Sequence, residues 1–324
     1  MNILVTGAAG FIGSRLCLKL LENKNNFIYG VDNLNNYYSP KFKRLRLKEL
    51  TKKKNFRFLK IDLKNKKNFK RIESIKKIDL IYHLAAQAGV RFTLKSPKKY
   101  FEDNIVAFFN LINLAKQKKI RKFFYASSSS IYGDQLRFPI KENSKLNTKN
   151  FYGFSKYINE ITSKTFSDIY DIKVVGLRFF TVFGEWGRPD MLIFKYLKSN
   201  LENKKFYLNE NGEHYRDFTY IDDVIKILTN LKKIRLKKNY QILNICSNNP
   251  IKIINIIKYI KKNFPNFKYT PIFSETSKKV EVVRTHGDNR LIKNILKKTK
   301  FTDFKSSLDK TIKWYITNEI NKIT

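Results

Sequence analysis

Two side chains with complementary acid–base chemistry lie four positions apart near the middle of the chain. Tyr152 and Lys156 fall in a segment of helical length, and a helix would place both side chains on one face. A lysine ammonium beside a phenol favours the phenolate and lowers the pKa of the phenol from its usual value of about 10. Such a pair is more often a plain surface pair, but it is also a candidate general base.

A run of four serines, residues 127–130, precedes that pair and follows an apolar run. Open parallel sheets place their ligands at the carboxyl ends of their strands, which is where these serines would lie. Any one serine here could simply belong to a polar turn. Only a hydroxyl that reaches both the phenol and a substrate would take part in catalysis.

Three glycines near the start of the chain form a second candidate site. Gly7, Gly10 and Gly13 follow an apolar run and open a helix-length segment. Glycines let the backbone turn tightly and approach a pyrophosphate at a helix N-terminus, although this spacing differs from G-x-G-x-x-G and also fits a structural turn. Asp32 ends the next apolar run, where an acid would bind a ribose 2′-hydroxyl and repel a 2′-phosphate. The sequence therefore favours NAD over NADP.

The elements that must position these residues alternate along the first half of the chain. Short runs rich in Ile, Val, Phe and Tyr are separated by longer amphipathic segments. This alternation predicts an α/β fold with a doubly wound parallel sheet and helices on both faces. The predicted strands are 3–6, 27–31, 56–61, 80–84, 122–127 and 174–179, and the predicted helices are 11–23, 40–51, 68–76, 97–119 and 152–170.

The alternation weakens after about residue 180. Glycine and proline punctuate residues 181–219, which predicts loops around one helix at 191–203. A buried strand at 241–246 and a helix at 250–263, with Pro250 at its start, follow. We predict a Rossmann NAD-binding domain over 1–180, with returning segments near 220–247, and a mainly substrate-binding lobe over 181–324.

Composition limits the classes of function. The 324 residues are 42% hydrophobic, enough for a large core, and carry 66 Lys and Arg against 27 Asp and Glu, a net charge of +39. The lysines are scattered, which predicts a solvated surface rather than a nucleic-acid site, although the field favours an anionic substrate. Cys17 and Cys246 form no disulfide framework or paired-ligand spacing, so we expect a cytoplasmic protein without a metal site. No membrane-spanning or signal segment is recognisable.

The three motifs, in this order, resemble those of the nucleotide-sugar epimerases of the extended short-chain dehydrogenase/reductase family. The resemblance covers essentially the whole chain and is strongest to the UDP-glucuronate 4-epimerases. Five further stretches carry it: D-N-L-N-N-Y-Y at 32–38, H-L-A-A-Q-A-G-V-R at 83–91, R-F-F-T-V-F-G at 178–184, W-G-R-P-D-M at 186–191 and R-D-F-T-Y-I-D-D at 216–223.

The resemblance also assigns roles by position. It implies Tyr152 as the base, Lys156 as the cation that holds the cofactor ribose, and Ser128 as the catalytic hydroxyl. The implied NAD contacts are Gly7, Gly10, Phe11, Ile12, Gly13, Asp32, Asn33, Asp62, Leu63, Leu84, Ala85, Ala86 and Asn104, together with Tyr152 and Lys156. The implied substrate contacts are Gln87, Arg91, Ser128, Ser129, Thr181, Arg188 and Arg216. An arginine fork suits a sugar carboxylate, so Arg91 and Arg188 are the candidates for that role.

The implied reaction is 4-epimerisation of a UDP sugar. UDP-glucuronate to UDP-galacturonate is the favoured conversion, and UDP-glucose 4-epimerisation is the alternative. Relatives that dehydrate or decarboxylate such sugars have a carboxylate where this chain has Ser130. A non-catalytic nucleotide- or nucleic-acid-binding protein is the remaining alternative, and the intact Ser128, Tyr152 and Lys156 argue against it.

The resemblance further implies a homodimer that packs helices 97–119 and 152–170. Two stretches depart from the family pattern. Glu185 stands where relatives commonly have proline, and residues 278–281 match the C-terminal nucleotide-binding stretch only loosely. The loop near the sugar and the uridine contacts are therefore open.

Overall fold

The protein is described by a computed structural model over residues 1–90, 96–234, 238–274, 281–297 and 299–324. A parallel sheet of seven strands forms its centre, and two small sheets lie in the C-terminal part. The strands are β1 (Asn2–Thr6), β2 (Phe27–Asp32), β3 (Phe56–Lys60), β4 (Leu80–His83), β5 (Lys122–Ser128), β6 (Lys173–Phe179), β7 (Thr181–Phe183), β8 (Tyr207–Asn209), β9 (Tyr215–Tyr220), β10 (Tyr240–Ile245), β11 (Pro250–Lys252) and β12 (Ile272–Ser274).

Helices cover both faces of the central sheet, whose strand order is β10-β6-β5-β4-β1-β2-β3. Ile3 and Val5 pack into one buried cluster while Leu4 packs into another, as the alternation of side chains across a strand requires. The predicted doubly wound architecture is confirmed. The helices are α1 (Phe11–Leu21), α2 (Pro40–Thr51), α3 (Lys66–Glu73), α4 (Pro97–Tyr100), α5 (Ala107–Gln117), α6 (Phe151–Tyr170), α7 (Leu192–Leu201), α8 (Ile221–Leu231), α9 (Ile253–Asn263), α10 (Arg290–Leu296) and α11 (Phe304–Thr317).

The first half of the chain follows the predicted elements closely. All six predicted strands are present, each displaced by no more than a residue or two at its ends. The helix predicted at 97–119 is wrong in one respect, because a π-helical segment, Phe101–Val106, separates α4 from α5. The strand predicted at 241–246 is present as β10, which pairs with β6 at the edge of the sheet.

The second half is more ordered than predicted. Residues 181–219, expected to be mostly loops, also contain β7, β8 and most of β9, and β9 pairs with both β7 and β11. The predicted helical start at Pro250 is wrong, since Pro250–Lys252 pairs antiparallel with β9 and α9 begins only at Ile253. Strands of three residues are too short to show a period in sequence. The domain boundary near residue 180 stays a prediction.

In the described ranges, no helix has the length and apolar character needed to span a bilayer.

Candidate active site

Residues 7–10 join β1 to α1, and the chain packs so closely here that Gly7 and, in the first turn of α1, Gly13 have no space for a side chain. Gly7 has φ +72°, and a Cβ there would lie 2.8 Å from the backbone nitrogen of Ala85. A Cβ on Gly13 would lie 2.1 Å from the carbonyl oxygen of Gly7. Gly10 caps α1 without any side-chain hydrogen bond. The N-terminus of α1 therefore lines the cleft above the sheet with its backbone within reach of a ligand.

Asp32 ends β2 beside this loop. Its carboxylate accepts hydrogen bonds from the backbone nitrogens of Ala9, at 3.1 Å, and Leu34, at 2.8 Å. Burial raises the pKa of Asp32, although these hydrogen bonds and the charge of Lys43 oppose the shift. The carboxylate thus fixes the glycine loop against the β2–α2 connection and lines the same cleft.

Tyr152 and Lys156 lie in the first turns of α6, and both line the cleft. Asn150 caps this helix by accepting the Gly153 N–H at 2.8 Å. The Lys156 ammonium donates to the Ala126 carbonyl at 2.8 Å and lies 5.9 Å from the centre of the Tyr152 ring. The predicted pairing of phenol and ammonium on one helical face is confirmed.

The pKa of Tyr152 depends on its burial and on its neighbours. Burial raises the pKa of the Tyr152 phenol, while the Ser128 hydroxyl and the Arg188 guanidinium lower it. Burial lowers the pKa of Lys156 to about 7, so without a bound anion this lysine carries only part of its charge at neutral pH. The expectation that Lys156 itself lowers the pKa of the phenol stays a prediction.

The serine run has separate tasks for its members. Ser127 donates to Glu160 at 2.5 Å. Both carboxylate oxygens of Glu160 also accept from the buried Arg178, one from Nε at 2.9 Å and the other from Nη2 at 2.7 Å. Ser128 lies against the phenol and hydrogen-bonds Ser130, whose backbone N–H donates to the Ser128 oxygen at 3.1 Å. Ser127 is committed to the scaffold, which leaves Ser128 as the serine beside Tyr152.

Asn104 lies in the π-helical segment, behind the wall of the cleft. Its side chain accepts the Gln87 N–H at 2.7 Å, donates to the Gln87 carbonyl at 3.1 Å, and donates to Ser155 at 2.9 Å. It is 1% exposed and does not line the cleft. Asn104 was expected to flank the cofactor directly, but its polar atoms are occupied in holding the chain after β4 against α6.

Arg188 is forked onto a carboxylate two residues away. Its Nε donates to one oxygen of Asp190 at 3.0 Å and its Nη2 to the other at 2.5 Å, while the Tyr37 hydroxyl donates to Asp190 at 3.2 Å. Burial opposes the charge of Arg188, but Asp190 outweighs it and raises the pKa. The pKa of Asp190 is lowered because the guanidinium outweighs the burial of the carboxyl. Both groups stay charged at neutral pH.

Arg216 lies at the far end of the cleft, in β9. It donates to the carbonyls of Tyr215 at 2.9 Å and Val283 at 3.2 Å, and its Nη2 lies 3.9 Å from the Glu281 carboxylate. Glu281 lines the cleft as well, so the loosely matching C-terminal stretch does reach the site. Arg91 and residues 278–280 lie outside the described residues.

Two clefts meet at Arg188. The sheet cleft, of about 440 Å³, lies over the carboxyl ends of the central strands, and the lobe cleft, of about 380 Å³, lies beside α7 and β8. Both are lined by Thr181, Arg188 and Arg216. The remaining predicted site residues line the sheet cleft, apart from Asn104 and Arg91: Gly7, Gly10, Phe11, Ile12, Gly13, Asp32, Asn33, Asp62, Leu63, Leu84, Ala85, Ala86, Gln87, Ser128, Ser129, Tyr152 and Lys156.

Sequence reasoning missed most of the lobe cleft. Tyr37 and Asp190 stood inside motifs that were recognised, and their proximity could not be read from the chain. The other missed residues lie on α7, which was predicted as a helix but not as part of a site, on the three-residue strand β8, and in the loops beside β8 and β9. They include Leu192, Lys195, Phe206, Tyr207, Leu208, Asn209 and His214.

Glu185, the departure from the family pattern, points away from both clefts. It is buried, and its carboxylate accepts the Tyr220 hydroxyl at 2.8 and 2.9 Å. It lines neither cleft. Among the described residues, no group of three or more His, Cys, Asp or Glu could hold a metal ion. The arrangement therefore offers a phenol, a hydroxyl, a lysine and an arginine fork for proton transfer at a bound alcohol.

Comparisons with known proteins agree with this geometry. Residues 3–246 match the NAD dependent epimerase/dehydratase family. The chain is 36% identical over 322 residues to UDP-glucuronate 4-epimerase of Thermodesulfobacterium geofontis. The aligned region covers 96% of this chain and 95% of that protein.

Solved structures give the same picture. UDP-glucuronic acid 4-epimerase from Bacillus cereus, in complex with UDP-glucuronic acid and NAD, superposes with a TM-score of 0.90 at 29% identity and covers 98% of this chain and 100% of that one. UDP-glucose 4-epimerase from Thermotoga maritima, with UDP-glucose, gives 0.88 at 25% identity, with 98% and 100% coverage.

Proposed function

The chain belongs to the NAD-dependent epimerase/dehydratase family, and on that premise we propose that it interconverts UDP-glucuronate and UDP-galacturonate. The observation that carries the proposal is the guanidinium of Arg188, which lines both clefts where they meet and whose Nη1 is not used in the fork onto Asp190. A buried carboxylate needs such a partner, and a neutral hydroxymethyl group does not.

The sheet cleft has the features that NAD requires. The glycine loop leaves no room for side chains, so a pyrophosphate could approach the N-terminus of α1. Asp32 lines the cleft at the end of β2, at the place of a ribose ligand. Residues Asp62 and Leu63 would enclose the adenine end, and Lys156 would hold the nicotinamide ribose. When bound there, NAD supplies a reversible oxidant for the C4–H bond of the sugar.

Tyr152 moves the proton in this mechanism. As the phenolate, Tyr152 takes the proton of the C4 hydroxyl and becomes the phenol, and it returns this proton once the sugar has presented its other face. Ser128, which lies against the phenol, hydrogen-bonds the same sugar oxygen and lowers the pKa of Tyr152. A lysine ammonium has three donors, so Lys156 retains two beyond its bond to the Ala126 carbonyl. The 4-keto sugar turns over about its diphosphate, which Arg216 would hold.

The absence of a carboxylate at Ser130 supports epimerisation over elimination. An elimination at C5 and C6 needs a further acid–base pair, and residue 130 offers only a hydroxyl that is bonded to Ser128. UDP-glucose 4-epimerisation is the second candidate, favoured by the likeness to the Thermotoga maritima enzyme. It would use the same Ser128, Tyr152 and Lys156, and Arg188 would then bind only Asp190.

Incubation of the purified protein with UDP-glucuronate and, separately, with UDP-glucose tests the proposal. NMR should show UDP-galacturonate from the first and little conversion of the second. Acid release from protein purified without added cofactor should yield NAD, since the cycle restores the cofactor each turnover. Conversion of UDP-glucose alone would establish the second candidate. A protein that carries only NADP would contradict the role given to Asp32.

We also propose that two copies associate through α5, α6 and the π-helical segment. Large apolar side chains are exposed on this face, and exposed apolar patches of this kind mark association sites. Phe154→Glu should therefore yield a monomer in sedimentation velocity, whereas Leu136→Glu, which replaces a fully exposed leucine in another loop, should not. The exposed apolar residues of the face include Phe101, Phe109, Phe151, Phe154, Ile161 and Ile169.

The location of the protein in the cytoplasm stays a prediction.

A further inference from the structure

Arg46, on α2, is a buried arginine that the proposed mechanism does not use. It is 3% exposed, and the part of the chain that the structure describes gives it no direct carboxylate partner. Its Nη1 donates to the Ala9 carbonyl at 3.2 Å and to the Tyr38 hydroxyl at 2.6 Å. A buried cation held by neutral acceptors is costly to maintain, so its position calls for an explanation.

The other edge of the same guanidinium reaches the loop that carries Arg188. Nη2 of Arg46 donates to the carbonyls of Trp186, at 2.6 Å, and Gly187, at 2.9 Å. Trp186 has φ +63°, a left-handed conformation that a tryptophan adopts only when its surroundings impose it. The ring of Trp186 stacks on Phe42, and the guanidinium of Arg46 lies 4.5 Å from the centre of the same Phe42 ring.

The contacts of Arg46 form a continuous path between the two proposed ligand sites. The Asp32 carboxylate binds the Ala9 N–H, and Arg46 binds the Ala9 carbonyl. Arg46 then binds the Gly187 carbonyl, and Gly187 directly precedes Arg188. One rigid fork therefore touches the loop at the ribose end of the sheet cleft and the loop that presents the sugar-binding arginine.

We propose that Arg46 is a positioning residue that couples the cofactor loop to the sugar loop, so that each ligand stabilises the site of the other. The inference rests on the proposed function for the identity of the two ligands. A lysine at position 46 could keep the charge but could not make the same set of hydrogen bonds. Its ammonium is a single donor centre, whereas the guanidinium holds its N–H donors at fixed positions in one plane. Coupling of this kind is reciprocal, so it can be measured from either site.

The test compares Arg46→Lys with Arg44→Lys, a matched change of an exposed arginine on the same helix. NAD-loaded protein is filtered with and without UDP-glucuronate, and the rate of NAD loss is followed. In the parent and in Arg44→Lys, the UDP sugar should slow NAD loss. In Arg46→Lys the slowing should largely vanish, and KM for UDP-glucuronate should rise about 10-fold while kcat changes less, as expected for lost charge-assisted hydrogen bonds that orient the binding loop.

Two results would overturn the coupling role. One is an Arg46→Lys protein in which UDP-glucuronate still slows NAD loss as in the parent. The other is a lower thermal midpoint with kcat and KM unchanged, which would make Arg46 a structural residue only. The filtration is repeated with UDP, the part that all UDP sugars share and a ligand for the lobe cleft. If UDP-glucuronate is not a substrate, coupling to UDP still supports the role of Arg46, so the two failures are distinguishable.

Discussion

The sheet cleft and the lobe cleft differ in the structural elements that form their walls. One wall of the sheet cleft is formed by the glycine loop, the ends of β1, β2 and β4, and the N-terminus of α1, where the close approach of backbone at Gly7 and Gly13 leaves no space for a side chain. Side chains from a loop, a helix and short strands make the walls of the lobe cleft, where Arg188 is oriented by Asp190 and Tyr37. A backbone wall recognises what many ligands share, such as a phosphate, whereas a side-chain wall can be changed one residue at a time.

This difference separates two kinds of sensitivity. Substitutions in the sheet cleft should matter where they add atoms to a closed backbone, and they should affect cofactor retention on any substrate. Substitutions in the lobe cleft should change the preference between substrates and leave the cofactor bound. Substitution of Tyr152, which lines the sheet cleft, should affect turnover alone.

The largest effect is expected at Tyr152. Tyr152→Phe should lower kcat by about 10²- to 10⁴-fold, since it removes the positioned acid–base group while keeping the ring. The variant should still carry NAD and keep its fold. Tyr170→Phe, at the end of the same helix, serves as the control and should match the parent. A Tyr152→Phe protein within a few fold of the parent would contradict the mechanism.

The next effect belongs to the lobe cleft. Arg188→Ala should lower kcat/KM for UDP-glucuronate by about 2–5 kcal/mol, the range for truncating one partner of a buried charge pair. Any activity on UDP-glucose should fall far less, because that substrate has no carboxylate at C6. Arg290→Ala is a matched control, since Arg290 is likewise forked onto a carboxylate two residues away, Asp288, but lies outside both clefts. Equal losses on both substrates would assign Arg188 to the diphosphate or the scaffold.

The sheet cleft gives a smaller effect with a different readout. Gly13→Ala would place a methyl group against the Gly7 carbonyl, so it should destabilise the fold by about 1–3 kcal/mol, as overpacking typically does. It should also reduce the NAD content of the purified protein. Ile12→Val, which shortens a side chain lining the same cleft, should retain NAD. A Gly13→Ala protein that keeps its full NAD content would contradict this prediction, because it would show that the loop can move to accommodate the added methyl group.

The smallest effect is a pH dependence of stability in NAD-stripped protein. The folded-state pKa of Lys156, about 7, lies below the value of about 10.4 expected in the unfolded chain. Between these values the unfolded chain holds an extra proton, so the free energy of unfolding should rise with pH by at most about 1.4 kcal/mol per unit. Urea unfolding at pH 7, 8 and 9 measures the slope.

Two variants isolate the contribution of Lys156 to that slope. Lys156→Met should remove it, since methionine holds no titrating proton. Lys164→Met, on the exposed side of the same helix, should retain it. Identical slopes in the parent and in Lys156→Met would mean that this lysine keeps its charge when the chain folds.

The sequence predicted the sheet cleft far better than the lobe cleft, for physical reasons. Glycine spacing, the acid at Asp32 and the pair Tyr152 and Lys156 are local patterns, and a doubly wound sheet brings strand ends together by its topology. The pairing of Tyr37 with Asp190 joins residues 153 positions apart and leaves no local pattern. β8 and β11 owe their conformation to partners elsewhere in the chain, so three residues alone could not reveal them.

The effect of burial on Lys156 was also out of reach of the sequence. Spacing places an ammonium beside a phenol, but the pKa of each depends on how much solvent the fold removes. The same holds for Asn104, whose residue type suits a ligand contact and whose surroundings occupy every polar atom.

The π-helical segment Phe101–Val106 connects α4 to α5. On its N-terminal side, Tyr100 lies edge-on to Tyr152, with ring centres 6.2 Å apart, and hydrogen-bonds the Gly89 carbonyl. On its C-terminal side, α5 buries Leu111 and Ile112 beneath the sheet. A π-helical turn, with its i→i+5 hydrogen bonds, holds about one residue more than an α-helical turn, so Phe101–Val106 accommodates one extra residue between α4 and α5. The widened turn lies beside the aromatic contact to Tyr152, and within it Asp103 lines the sheet cleft while Asn104 binds the chain after β4.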